Sequence, residues 1–175
     1  GFQIHDPKPP YRRSRGLVLL DFYRYNDVNA FKDQYDFGEI EPFTLLIRRI
    51  QGNLPFRSSP FHELRWDGTK VHHRVLNPGE PGIWSSVTLY QPEVISQRNE
   101  WFNDWLSGNP DFDIASIVNF HKTGGTGNRE NDILMNRENQ VRTVSITSIQ
   151  VGPGTNEFFY EDVINQRQFS IFESS

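Results

Sequence analysis

Asp67-Gly68 stands between two runs, Phe61 to Trp66 and Thr69 to Leu76, that are rich in aromatic, aliphatic and β-branched side chains. Asp-Gly readily supplies the two positive-φ residues of a type I′ turn, so the spacing predicts a tight hairpin. A hairpin joins antiparallel neighbours, which excludes an all-helical chain and argues against a doubly wound parallel sheet. Further strands are expected at Phe43 to Ile50 (FTLLIRRI), with Pro42 ahead of it, and at Ile83 to Leu89 after the Pro81-Gly82 break. The C-terminal third adds Val141 to Val151, the turn Gly152-Pro153-Gly154, Phe158 to Ile164 and Phe169 to Phe172. Within the first of these, Val144 and Ile146 alternate with Thr143, Ser145 and Thr147.

Elsewhere the apolar period is helical. Ser14 is placed as the N-cap of a helix from Arg15 to about Tyr25, with Leu17, Leu20, Phe22 and Tyr25 as its stripe and Val18 widening it. Asp27 caps a second helix carrying Val28, Phe31 and Tyr35 and ended by Gly38. Pro92 opens the longest helix, to about Leu106, whose pairs Val94/Ile95, Trp101/Phe102 and Trp105/Leu106 recur near 3.6 residues with Arg98 between them. Asp113 caps a short fourth helix with Ile114, Ile117, Val118 and Phe120. His5 to Pro10 reads as an extended lead, and Gln51 to Pro60 and Lys122 to Asn131 as loops. Helices, strands, helices, strands in that order define an α+β chain, and no interior linker divides residues 1–175, so one domain is expected.

Composition narrows the function. Hydrophobic residues make up 35% of the 175 and aromatics 14%, fourteen of them Phe, which suffices for a core. A net charge of −4 argues against nucleic acid as a partner. The longest apolar run, Leu17 to Leu20, is far short of a membrane span, and no signal-peptide pattern opens the chain, so a cytoplasmic protein is expected. The absence of cysteine removes disulfides, thiolate metal sites and a Cys nucleophile from these residues.

No metal or other cofactor is expected. His72 and His73 are neighbours on a strand, point to opposite faces and cannot converge on one ion, and no His-Glu-x-x-His spacing occurs. In His121-Lys122-Thr123-Gly124-Gly125-Thr126-Gly127 the Lys-Thr precedes the glycines, the reverse of a phosphate loop, so the glycines read as turn punctuation. Arg12, Arg13 and Arg15 at a helix start oppose the helix dipole, which predicts an acidic partner elsewhere in the fold. Asn131 to Asn139 is the densest polar stretch and leads into Val141-Arg142-Thr143. An Arg at the mouth of a strand with amides upstream suits an anion or oxyanion, and equally a turn whose Arg meets a surface carboxylate. Ser85 and Ser86 lack a Gly-x-Ser-x-Gly elbow, which disfavours serine hydrolase chemistry.

One ordered set of segments goes further. Pro9-Pro10-Tyr11-Arg12-Arg13-Ser14-Arg15-Gly16, Ile40-Glu41-Pro42-Phe43-Thr44, Trp66-Asp67-Gly68 and Ile83-Trp84-Ser85-Ser86-Val87-Thr88-Leu89-Tyr90 are followed by Phe120-His121-Lys122 to Gly127, Glu130-Asn131-Asp132 and Thr143-Val144-Ser145-Ile146-Thr147. Together they resemble the bacterial branch of the NRDE family, relatives of the transport and Golgi organisation proteins, over nearly the whole chain. The resemblance implies an N-terminal-nucleophile (Ntn) hydrolase-like, four-layer α-β-β-α sandwich of antiparallel sheets. It implies a Cys nucleophile at a processed N-terminus, with its own α-amino group as base, acting on C–N or acyl bonds. Neither that Cys nor an Asn-Arg-Asp-Glu string occurs here, so the chain looks like the C-terminal two-thirds of such a protein, inactive alone, with an N-terminal segment or fragment as its partner. By the same resemblance Arg142 matches an Arg that opens a late strand and faces the nucleophile. Ser85-Ser86 stand where an oxyanion Asn is usual, which leaves Ser86 as a pocket residue, and Asn136 supplies polar contacts. The alternative is a non-catalytic member of the fold that binds a small hydrophobic or acyl-bearing ligand, or serves in trafficking, through Trp84, Trp101 and Trp105.

Overall fold

A computed structural model describes residues 10–48, 59–86, 88–109, 113–138, 140–152 and 155–173. The extended lead, most of the loop at 51–60 and the Pro153-Gly154 turn lie outside them. The chain forms two compact units, one ending at Leu89 and the other beginning at Tyr90. Both contain helices and sheet, and every ladder between named strands is antiparallel, so the chain is α+β. No helix among the described residues is long and apolar enough to cross a membrane.

The first unit holds α1 (Arg15–Phe22), α2 (Val28–Gln34), β1 (Phe43–Arg48), β2 (Phe61–Trp66) and β3 (Val71–Leu76), with sheet order β1-β2-β3. Pairing of Phe43 with Trp66 and Trp66 with Val71, then of Leu45 with Leu64, sets one face of the sheet. Phe43, Ile47, Leu64 and Trp66 of that face form one buried cluster with Val18, Val28, Phe31, Phe37 and Ile40. Phe31 is its hub, with edge contacts to Phe22, Tyr25 and Phe37. Asp27 caps α2 by accepting from the Ala30 N–H, as its position foretells.

Three local expectations change here. Residues Asp67 to Lys70 form a four-residue connection instead of a two-residue type I′ turn. Only Gly68 has positive φ (95°), and the Asp67 carboxylate accepts from the N–H groups of Thr69 and Lys70. Helix α1 stops at Phe22 and is rotated relative to the Leu17/Leu20 stripe: Val18 and Asp21 are buried, whereas Leu20 is 59% exposed. A paired hydrogen bond from Arg13 draws Asp21 inward and turns Val18, Phe22 and Tyr25 onto the core with it. Ser14 stands at the N-cap without a side-chain cap bond. The described residues of Ile83 to Leu89 form no strand. Trp84 instead packs edge-on against Phe61 and donates its indole N–H to Glu63 on β2, and the Leu89 N–H donates to the Ser86 carbonyl.

The second unit holds α3 (Pro92–Gly108), α4 (Ile114–Thr123), a two-stranded ladder of β4 (Asn136–Arg137) and β5 (Val141–Arg142), and a sheet β6 (Ser145–Gly152), β7 (Thr155–Asp162) and β8 (Arg167–Glu173) in that order. Asp113 and Ser116 close a capping box on α4. The single strand expected over Val141 to Val151 is two strands. It breaks because Thr143 bonds back to Met135 through both its N–H and its hydroxyl. Phe102 and Trp105 of α3 pack on Phe120 of α4. Lys122 of α4 reaches Glu161 on β7 at 2.6 Å, so α4 covers the sheet face that carries buried Ile146. The register places Ile149, Phe158 and Ile171 on the opposite face with Thr147, Tyr160 and Phe169. That face is apolar yet open: Ile149 is 68% and Ile171 59% exposed.

Candidate functional site

In the second unit a cavity of about 290 Å³ opens beside the β4–β5 ladder. Its lining includes the polar side chains of Lys122, Arg129, Asp132, Asn136, Arg142 and Thr143 and the apolar ones of Leu134, Met135, Val163 and Ile164. The ladder explains how two residues six apart reach it together: Asn136 is directly opposite Arg142, and cross-strand partners share a face.

The loop that completes the wall is held from below by two buried arginines. Arg98 on α3 donates Nε–H to the Asn131 carbonyl at 3.1 Å, and its Nη2 to the Asp132 carbonyl and to the Tyr90 hydroxyl. Arg137 donates Nε–H to the Glu130 carbonyl at 3.0 Å and Nη2 to the Asn131 amide oxygen. The two guanidiniums share the Tyr90 ring, 3.7 Å and 5.3 Å from its centre. Burial draws the Arg98 pKa below its ordinary value; Tyr90 opposes that shift, and Arg137 adds to it. A guanidinium remains charged at neutral pH all the same. Above them, the buried Asp132 carboxylate accepts from the Thr126 N–H at 2.9 Å. A Cβ at Gly125, whose φ is +140°, would lie 2.1 Å from that carboxylate oxygen, so only glycine lets the loop close on it.

Three cations therefore border the cavity against one carboxylate already engaged by backbone. Lys122 is tied to Glu161; Arg129 and Arg142 are exposed, and Arg142 too has a partner. Such a wall suits an anionic or strongly polarised oxygen, and guanidinium offers a planar fork for it.

The structure brings Asn136 and Arg142 together. Ser86 belongs to the other unit, where its Oγ lies 3.0 Å from Thr88 Oγ1, which in turn accepts from Arg15. Among the described residues Ser86 meets no histidine or carboxylate. Sequence reasoning missed Lys122 and Arg129 as lining residues, since they lie in a stretch expected to be loop, and it marked the polar stretch that holds Asp132 without singling that residue out. Arg98, isolated in an apolar stripe, was the one visible signal of a buried cation.

The remaining motifs find their partners. Arg12, Arg13 and Arg15 reach Asp36, Asp21 and Glu41 at 3.5, 2.6 and 3.1 Å, the acidic partners their position demands. His72 meets Asp67 at 2.6 Å, while on the other face His73 and His62 point ring nitrogens at each other at 3.0 Å. No group of three His, Cys, Asp or Glu among the described residues is placed to hold a metal. Helix α4 ends at Thr123, so Lys122-Thr123 close a helix where a phosphate loop would open one. Trp84 and Trp105 are engaged in the packing described above. Comparison with protein-family models, curated proteins and solved structures finds no match for this chain.

Proposed function

We propose that this chain is the larger part of an NRDE-family, Ntn-hydrolase-like protein that cleaves C–N or acyl bonds, and that the cavity beside β5 is a wall of its substrate pocket. The observation that carries the reading is the pairing of Arg142 with Asn136 on one cavity wall. In it a strand-opening guanidinium and an amide face the same space, as stabilising a developing oxyanion requires. The sheet β6-β7-β8 supports the layered architecture. It has a helix on one face and an uncovered apolar face on the other, as one half of an α-β-β-α sandwich would.

In this reading Arg142 binds and polarises the carbonyl oxygen, and Asn136 orients it. The nucleophilic thiol is carried by residues outside these 175, which contain no cysteine. The test is the complete reading frame, expressed and assayed on N-acyl amides and acyl esters. The expected results are turnover that disappears when an N-terminal Cys becomes Ser, and a loss in kcat/KM on the order of 10²-fold in Arg142→Met. A reading frame with no Met-Cys start ahead of Gly1, or an Arg142→Met enzyme with unchanged turnover, overturns it.

A further inference from the structure

We infer that His62 and His73 form a two-histidine chelate for a divalent transition metal on the sheet of the first unit. Adjacent His72 and His73 diverge, but strand pairing gives His73 a different companion. His62 is opposite Val75 and His73 opposite Leu64, so the two histidines are diagonal neighbours on one face. Nδ1 of His62 and Nε2 of His73 stand 3.0 Å apart. Two nitrogens at about 2.0–2.1 Å from one ion are separated by about 2.9 Å at a square-planar angle and about 3.3 Å at a tetrahedral one. The observed spacing falls between the two. Ile47 and Leu64, the cross-strand partners of His62 and His73, are buried, whereas Val75 is 65% exposed. A fixed apolar floor therefore meets solvent at the pair, and water can complete the coordination. Burial, and then His73, lower the His62 pKa, so at pH 7 its ring is neutral and can be a ligand. In the neutral pair one facing nitrogen carries the shared N–H. On binding, that proton passes to the far nitrogen of its ring, both facing lone pairs turn to the ion, and no proton is released. Among the described residues no third His, Cys, Asp or Glu joins them, so the ligands are two imidazoles and water. Imidazoles without carboxylates select Cu²⁺, Ni²⁺ and Zn²⁺ and pass over Mg²⁺.

Titration calorimetry of the full chain with Cu²⁺, Zn²⁺ and Mg²⁺ tests this without any turnover. Cu²⁺ is expected to bind at one site, Zn²⁺ more weakly and Mg²⁺ not at all. His62→Gln and His73→Gln should each weaken Cu²⁺ at least 10-fold, and His72→Gln, on the opposite face, should change it less than 2-fold. Thermal melts establish that the variants are folded. The paramagnetic resonance spectrum of Cu²⁺ on the unaltered chain counts imidazole ligands without any variant, and two are expected. No Cu²⁺ binding, a single imidazole in that spectrum, or an affinity that survives both substitutions overturns the inference. So does a chain that binds no metal but loses stability in both variants, because the pair is then a hydrogen bond only. The hydrolase reading stands or falls separately, since none of its residues belongs to this pair.

Discussion

The guanidinium of Arg98 lies 3.7 Å from the centre of the Tyr90 ring and donates to the Tyr90 hydroxyl, yet among the described residues it makes no ion pair. Its work is done on backbone: it holds the Asn131 and Asp132 carbonyls that shape the cavity wall. Arg98→Met leaves those carbonyls and a tyrosine hydroxyl buried without a donor. It is expected to cost about 3 kcal/mol in urea unfolding. Arg98→Lys keeps the charge but not the fork and should recover less than half of that.

Asp21 gives the first unit an acid limit. The paired hydrogen bond from Arg13 holds its carboxyl below the usual range, against burial and with help from the Tyr35 hydroxyl. A depressed carboxyl contributes stability that is complete above its unfolded value of about 3.9 and is lost as pH falls through the folded value. Asp21→Asn should lower Tm at pH 7 by on the order of 5 °C. The gap between mutant and wild type should close as pH is taken below about 4. Melts at pH 7 and pH 3 check both statements.

Two glycines give opposite answers. Gly125→Ala drives a Cβ into the Asp132 carboxylate at a φ of +140°, and a loss of about 2 kcal/mol or more is expected. Gly16, in the first turn of α1, has nothing within 4 Å of a built Cβ, so Gly16→Ala should gain roughly 0.5 kcal/mol. Chemical unfolding of the two variants measures the contrast.

Helix α1 can be read by mutation. Val18 is 1% exposed and Leu20 59%, so Val18→Ala should cost roughly 1–3 kcal/mol and Leu20→Ala less than about 0.5 kcal/mol. Equal costs would mean the helix presents the Leu17/Leu20 face to the core after all. For scale, Leu64→Ala on the central strand, with no exposed surface, is expected to cost about 3 kcal/mol.

Much of this is written locally. Asp27 and Asp113 cap their helices, Pro92 begins α3, and the apolar runs at Phe43, Phe61 and Phe158 are strands, because capping geometry and side-chain alternation depend only on near neighbours. The three arginines at the start of α1 announced their need for carboxylates but not which ones. Asp36 is 24 residues from Arg12, and Glu41 26 from Arg15.

What tertiary structure alone decided is orientation and company. The Arg13–Asp21 pair overrode the leucine stripe of α1, the bonds between Thr143 and Met135 cut one expected strand into two, and Glu63 drew Trp84 out of another. Likewise Arg142 was visible as a strand-opening cation. Its partnership with Asn136, and the Lys122, Arg129 and Asp132 gathered around it, arise from a ladder register and a loop packed on two buried arginines. Side-chain periodicity fixes which faces of an element are apolar. Which residues share a cavity is set by contacts between segments distant in the chain, and no local pattern encodes those.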